Sequence, residues 1–304
     1  MAGLTVVIKK EVTDTLSNRG FLLSLLILTL SLIFWGYASG ESYIKYVGWG
    51  LAWAATRNLG LIPAIAWSMN FLGALVAVAY GFNAINKERE EGSLKVMLSY
   101  PIYRDKIILG KLLASLLVIS LATVVSLMIS LAVFLAITRV MLTLDMVLRF
   151  SIFILFTVLF LCGWVGFSLF ISQVFKDVKI SLMITLIIIG VLNSNTFGYV
   201  INIFTHLMAG SSYMLNNGLV EMNVTWITLY NFISRFLPSD SYVILAGGLS
   251  SQTTVSFVGN EIVSVPSGLW DVLVNNSFSI GVLIVTAILT FVGSYVVFTR
   301  SDVT

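Results

Sequence analysis

Charge is what this sequence has least of. Only 10% of its 304 residues are Asp, Glu, Lys or Arg, while 58% are hydrophobic, and the mean hydropathy is +1.00. A water-facing domain carries about 25% charged residues, so the composition excludes an ordinary soluble globule. The single cysteine, Cys162, lies in an apolar run and excludes a disulfide framework or a thiolate metal site. The single histidine, His206, cannot assemble a metal cluster alone. A phosphate-binding loop is missing too. The one Gly-Lys pair, Gly110-Lys111, is followed by Leu112 and lacks the upstream glycine that would let backbone amides cradle a phosphate. Nothing points to catalysis, a bound cofactor or a nucleic-acid partner, and no enzymatic activity is expected of the chain itself.

What remains is a set of long apolar runs separated by short charged segments, the distribution a bilayer selects. A crossing helix needs roughly 20 apolar residues, and six stretches qualify: about 21–38, 62–85, 107–136, 146–172, 180–197 and 277–298. They must be helices, because barrel strands would alternate in polarity and be half as long. The third and fourth exceed the minimum, which implies tilt or extension beyond the bilayer. The first run starts only at Phe21, after Lys9, Lys10, Glu11, Asp14 and Arg19, and leads into Gly40-Glu41-Ser42 rather than a small-residue cleavage site. It reads as a span and not as a cleavable signal. The chain is therefore expected to be one all-α polytopic membrane domain over 1–304.

Basic residues set the orientation. With the N-terminus inside, Lys9, Lys10, Arg19, Lys87, Arg89, Lys95, Arg104, Lys106, Lys111, Lys176, Lys179 and Arg300 are cytoplasmic. The other side keeps Lys45, Arg57, Arg139, Arg149 and Arg235. Both termini are expected in the cytoplasm of a multi-pass plasma-membrane protein. Trp35, Tyr37, Tyr43, Tyr46, Trp49 and Trp53 gather near the proposed outer end of the first span, as a headgroup belt requires. Two Asn-x-Ser/Thr sequons, at Asn223 and Asn275, fall on the same outer side and are candidate glycosylation acceptors. The outer segment, 198–276, holds two apolar stretches, Val224–Leu237 and Ser241–Leu249, broken at Pro238-Ser239-Asp240. They read as short interfacial or re-entrant helices, forming either a lid on the helix ends or a docking surface for an extracytoplasmic partner.

Two cytoplasmic features stand out. Residues 1–19 place Leu4, Val7, Ile8, Val12 and Leu16 at helical spacing, the pattern of an amphipathic helix on the inner membrane face. After the second span, a charged extension stops at Gly92 and Ser93 can cap a short helix from Leu94 to Ser99. Leu94, Met97 and Leu98 lie on one side of it, Pro101 ends it, and Arg104-Asp105-Lys106 leads into the third span. By physics alone this is either a solvated loop or a small helix that passes a push from a soluble partner into the membrane.

The segment resembles the coupling-helix region of the ABC-2 type transporter permeases. That pattern runs roughly Glu-x-Gly-Ser/Thr-x-x-x-Leu-Leu-Ser-x-Pro-Val/Ile-x-Arg, then Gly-Lys at the next span. The matching residues are Glu88, Glu90, Gly92, Ser93, Leu94, Leu98, Ser99, Pro101, Ile102, Arg104, Gly110 and Lys111. Ile8-Lys9-Lys10-Glu11-Val12 is similar to the family's entry helix. The resemblance implies a permease subunit, driven by separate ABC ATP-binding subunits that hold ATP and Mg, and paired with a second permease copy or paralogue in the lipid membrane. It further implies export, with Glu88, Arg89, Glu90 and Arg104 making polar contacts to the ATPase. Gly92 and Pro101 would bound the coupling helix, and Leu94, Met97 and Leu98 would form its apolar seat. Lys95 departs from the acidic residue many relatives carry there. The rival readings are a membrane scaffold, a channel, or a secondary transporter. The last needs an ionisable residue at mid-membrane, and none of the six spans has one at its centre.

Overall fold

In a computed structural model, residues 2–48, 60–81, 104–175, 177–192, 194–211, 213–216, 219–250, 253–258, 261–266 and 268–300 are described. They form eleven helices and two short β-hairpins. The helices are α1 (Ala2–Ser17), α2 (Arg19–Gly48), α3 (Leu61–Gly81), α4 (Arg104–Thr138), α5 (Leu144–Val174), α6 (Val178–Leu192), α7 (Ser194–Ala209), α8 (Val224–Ser234), α9 (Pro238–Ser250), α10 (Leu269–Asn275) and α11 (Ser277–Arg300). The hairpins pair β1 (Tyr213–Asn216) with β2 (Leu219–Met222), and β3 (Thr253–Val258) with β4 (Glu261–Pro266), both antiparallel.

Five of these helices, α2, α3, α4, α5 and α11, are long and apolar enough to cross a membrane. They match five of the six expected spans. The remaining expected span, 180–197, falls on two described helices, α6 and α7, on either side of residue 193, which lies outside the described residues. Helix α6 has 15 residues, about 22 Å at 1.5 Å per residue, short of the roughly 30 Å apolar thickness. A second helix starts at Ser194. The carbonyl of Leu192, the last residue of α6, accepts a hydrogen bond from Ser239 Oγ at 2.9 Å.

Small residues set the helix spacing. A Cβ on Gly36 would sit 2.7 Å from the Ser130 carbonyl, and Ser130 Oγ donates to the Leu32 carbonyl at 2.7 Å, so α2 and α4 meet almost backbone to backbone. Thr29 and Ser126 hydroxyls bond across the same seam at 2.9 Å. Gly73 and Gly81 of α3 press onto Leu161 and Ser168 of α5. Gly166 of α5 meets Thr290 and Phe291 of α11. The hydroxyl and glycine series in α3 and α4 therefore serve packing, as small residues do between membrane helices. The end of the bundle bearing α1 is called here the near face, and the end with the Thr138–Leu144 turn the far face.

The part between α6 and α11 is more deeply placed than a lid. Asn223 Oδ1 caps α8 by accepting from Trp226 N at 3.2 Å, and its amide donates to the Ala209 and Ser211 carbonyls at 2.8 and 2.9 Å. It closes the β1–β2 excursion at its base. Pro238 then opens α9, where its fixed φ and missing N–H cost nothing. Tyr242, Leu245, Ala246 and Leu249 of α9 are buried in the main apolar core. The Tyr242 ring stacks on Phe160 with centroids 4.5 Å apart, and its hydroxyl bonds Thr157 at 2.9 Å. Thr157 lies about 20 Å along α5 from Leu144, in a helix of 31 residues. So α9 starts near mid-bundle and climbs to the far face. There Arg149, buried and bonded through Nε to Asp145 at 2.7 Å, reaches the Leu249 carbonyl with Nη1 at 3.5 Å. A guanidinium at a helix C-terminus complements its dipole.

Two expectations change with this geometry. Arg149, read as a loop-side charge, is an interior anchor for α9. And Asp240, placed by sequence in an outer loop, sits in the first turn of α9 near mid-bundle, so an acidic side chain does lie at depth although no span carries it.

Candidate functional site

The near face is built on α1. Its inward side is not the purely apolar stripe that Leu4, Val7, Ile8, Val12 and Leu16 outlined. Val7 is buried, but Leu16 is exposed, and Glu11 lies buried on the same side. Glu11 Oε1 accepts from Lys111 Nζ at 2.8 Å, and Lys111 is only 1% exposed. One turn further along α1, the Thr15 side chain meets the Tyr80 hydroxyl of α3. Phe21, at the start of α2, contacts the Tyr80 ring edge-on at 6.0 Å.

Gly110 explains how α1 gets so close. A Cβ there would stand 2.5 Å from Val7 Cγ1, so any side chain would push α1 off α4. Gly110 admits the α1 backbone, and Lys111 neutralises the one charge α1 carries inward. The pair is a device for register more than for stability: two buried charges roughly break even against apolar packing, whereas one left alone costs about 3–5 kcal/mol.

The position of this clasp matters. Helix α3 ends its described stretch at Gly81 and α4 begins at Arg104, so α1 grips the two helices that flank residues 82–103. Gly81 is itself wedged against Ser168 and the Val165 carbonyl of α5, and Ser168 Oγ donates to the Val78 carbonyl at 3.1 Å.

A family model for ABC-2 family transporter proteins matches residues 5–303, from the first turns of α1 to past the end of α11. The chain belongs to the ABC-2 transporter family. Two curated relatives, each named a probable ABC transporter permease protein NosY, are similar over part of their length. That of Pseudomonas aeruginosa is 34% identical over 127 residues, 38% of this chain and 40% of the relative. That of Stutzerimonas stutzeri is 35% identical over 123 residues, with the same two shares. The chain thus matches only about 40% of the length of these relatives. Family membership and the five long apolar helices together make it a multi-pass membrane protein of that family.

Of the residues singled out in the sequence, Glu88, Arg89, Glu90, Gly92, Leu94, Met97, Leu98 and Pro101 lie outside the described residues. Arg104 opens α4. Gly110 and Lys111, quoted only as part of a motif, are the two that the structure joins to α1. Glu11 was missed as a site residue, although Val7, Glu11 and Thr15 at intervals of four were the available signal: one charge recurring on the helix face that otherwise reads apolar. Of the two sequons, Asn275 is exposed at the end of α10, whereas Asn223 is 2% exposed and its amide is fully engaged. Among the described residues there is no group of three or more His, Cys, Asp or Glu that could hold a metal.

Proposed function

We propose that this ABC-2 chain is the permease of an ATP-driven exporter, and that residues 88–104 carry a short coupling helix, 94–99, seated in a separate ABC ATPase. The observation that carries the reading is the α1 clasp. Lys111 and Gly110 tie α1 to α4, and Tyr80 ties it to α3, so the bundle is rigid at both ends of the segment that a motor would push. Glu88, Arg89, Glu90 and Arg104 supply polar contacts to the ATPase, with Leu94, Met97 and Leu98 as the apolar seat between Gly92 and Pro101. ATP and Mg belong to that partner, since Gly110-Lys111 serves helix packing and has no phosphate-binding glycine before it. Two permease chains, identical or paralogous, work with two ATPases. The near face is cytoplasmic and holds both termini, the membrane is the plasma membrane, and the far face with its hairpins is extracytoplasmic.

The sixth crossing is made in two pieces, α6 and α7. The antiparallel α8 and the deep α9 form a re-entrant element on the far half, and β1–β2 and β3–β4 are the pieces offered to an extracytoplasmic protein. Asn275 keeps the role of candidate glycan acceptor. An ion-driven carrier gains one supporting observation, the depth of Asp240. It offers no use for a clasp around 82–103.

Copurification decides between the two. Expressed with the ATPase encoded beside it, the permease should retain that subunit through affinity purification and raise its ATP hydrolysis in lipid. A chain that purifies alone and transports on an ion gradient without ATP would overturn the proposal.

A further inference from the structure

Asp240 is a partly buried acidic group at mid-bundle depth that the coupling account leaves unused. Its Oδ2 is sealed from solvent and has no hydrogen-bond partner, and among the described residues no Lys or Arg pairs with it. A carboxylate oxygen withdrawn from water without a donor is costly, which makes a cation held beside the carboxylate favourable.

The carboxylate borders a cavity of about 370 Å³ between α3, α7, α8 and α9, lined also by Trp67, Asn202, Tyr230, Asn231 and Ser234. The frame around it is well defined. Tyr230 stacks on Trp226 at 5.2 Å, and Gly198 lets its hydroxyl approach α7, where a Cβ would lie 3.2 Å away. Ser234 has already spent its hydroxyl on the Asn231 carbonyl at 3.3 Å. That leaves one carboxylate, three aromatic side chains (Trp67, Tyr199 and Tyr230) and two side-chain amides bordering a shared space.

This donor set selects among ligands. A phosphate or carboxylate would be repelled by Asp240. A hard divalent cation wants six or more oxygens, and this cavity offers a single carboxylate. An ammonium group suits it: its charge pairs with the carboxylate, its remaining hydrogens meet amide oxygens, and aromatic rings stabilise a cation held near them. The volume lies within the ordinary range for small-molecule pockets.

We infer that this cavity binds an organic ammonium group, with Asp240 as its counter-ion. The site is independent of the direction of transport and of the ATPase, so its failure would leave the permease reading standing. The ammonium can come from a free amine or from the headgroup of phosphatidylethanolamine.

The test uses the full-length permease in nanodiscs of phosphatidylglycerol, titrated with butylammonium and, as the neutral match, butanol, with thermal unfolding as readout. Butylammonium should raise Tm saturably in the wild type and in Asp240→Glu, with at least about tenfold weaker apparent affinity in Asp240→Asn. Butanol should do nothing. Repeating the titration in phosphatidylethanolamine discs separates the sources: a blunted response identifies the headgroup as occupant, and an unchanged one identifies a free amine. Should Asp240→Asn fail to fold, the contrast between butylammonium and butanol on the other two proteins decides. An equal response of wild type and Asp240→Asn, or of amine and alcohol, overturns the inference.

Discussion

Lys111 of α4 donates to Glu11 of α1 at 2.8 Å, a buried ion pair between residues a hundred positions apart. Because each charge is desolvated, removing one strands the other. Lys111→Met or Glu11→Leu alone should lower stability by about 3–5 kcal/mol, and the double variant should recover most of that loss. Thermal unfolding of the four proteins in one detergent gives the cycle. Additive losses would mean that the two residues do not depend on each other.

The approach of α1 to α4 depends on Gly110. Gly110→Val places a side chain where Val7 Cγ1 stands, so α1 should lift off and lose its support, and trypsin should cut faster at Lys9 and Lys10, which are already exposed. Val7→Ala in the same chain should restore part of the protection. The readout is the rate of cleavage in α1 on membranes opened to the near face.

Much of the bundle was legible from hydropathy, because crossing a bilayer demands runs that nothing else in a sequence resembles. Five expected spans coincide with long apolar helices. The bond from Ser239 to the Leu192 carbonyl was not visible, since Leu192 lies in an apolar run that marks no partner for it. The depth of α9 was hidden for the opposite reason. Its first turn, Pro238-Ser239-Asp240-Ser241, is as polar as a loop, and only the folded chain shows that the Ser239 and Ser241 hydroxyls have partners inside. Likewise Gly110-Lys111 could be matched to a family pattern, but what the two residues touch lies at the other end of the chain. Pairing across such separations leaves no periodicity to read.

Tyr242 gives a graded test of α9. Tyr242→Phe keeps the stack on Phe160 and loses the bond to Thr157, which should cost about 1 kcal/mol. Tyr242→Ala empties a fully buried site and should cost about 3–5 kcal/mol. Denaturation in mild detergent distinguishes them. Equal Tm values for wild type and Tyr242→Ala would contradict the placement of α9 within the core.

Asn223 should behave as a structural cap. Asn223→Ala removes the α8 cap and both bonds to the Ala209–Ser211 turn, so proteolysis within 212–222 should accelerate severalfold while insertion is preserved. A cap alone is worth about 1 kcal/mol, and the two further bonds add to it. Asn223→Asp keeps the cap acceptor and loses the donors, and should fall between the two.

The central claim is that an ATPase drives this bundle through residues 88–104. Its most direct measurement is permease-stimulated ATP hydrolysis by the copurified complex in lipid, comparing wild type with Glu90→Lys and Arg104→Glu. The account predicts that both reversals keep the permease inserted at normal abundance and lower stimulated hydrolysis several-fold toward the rate of the free ATPase. Full stimulation in both variants would contradict it.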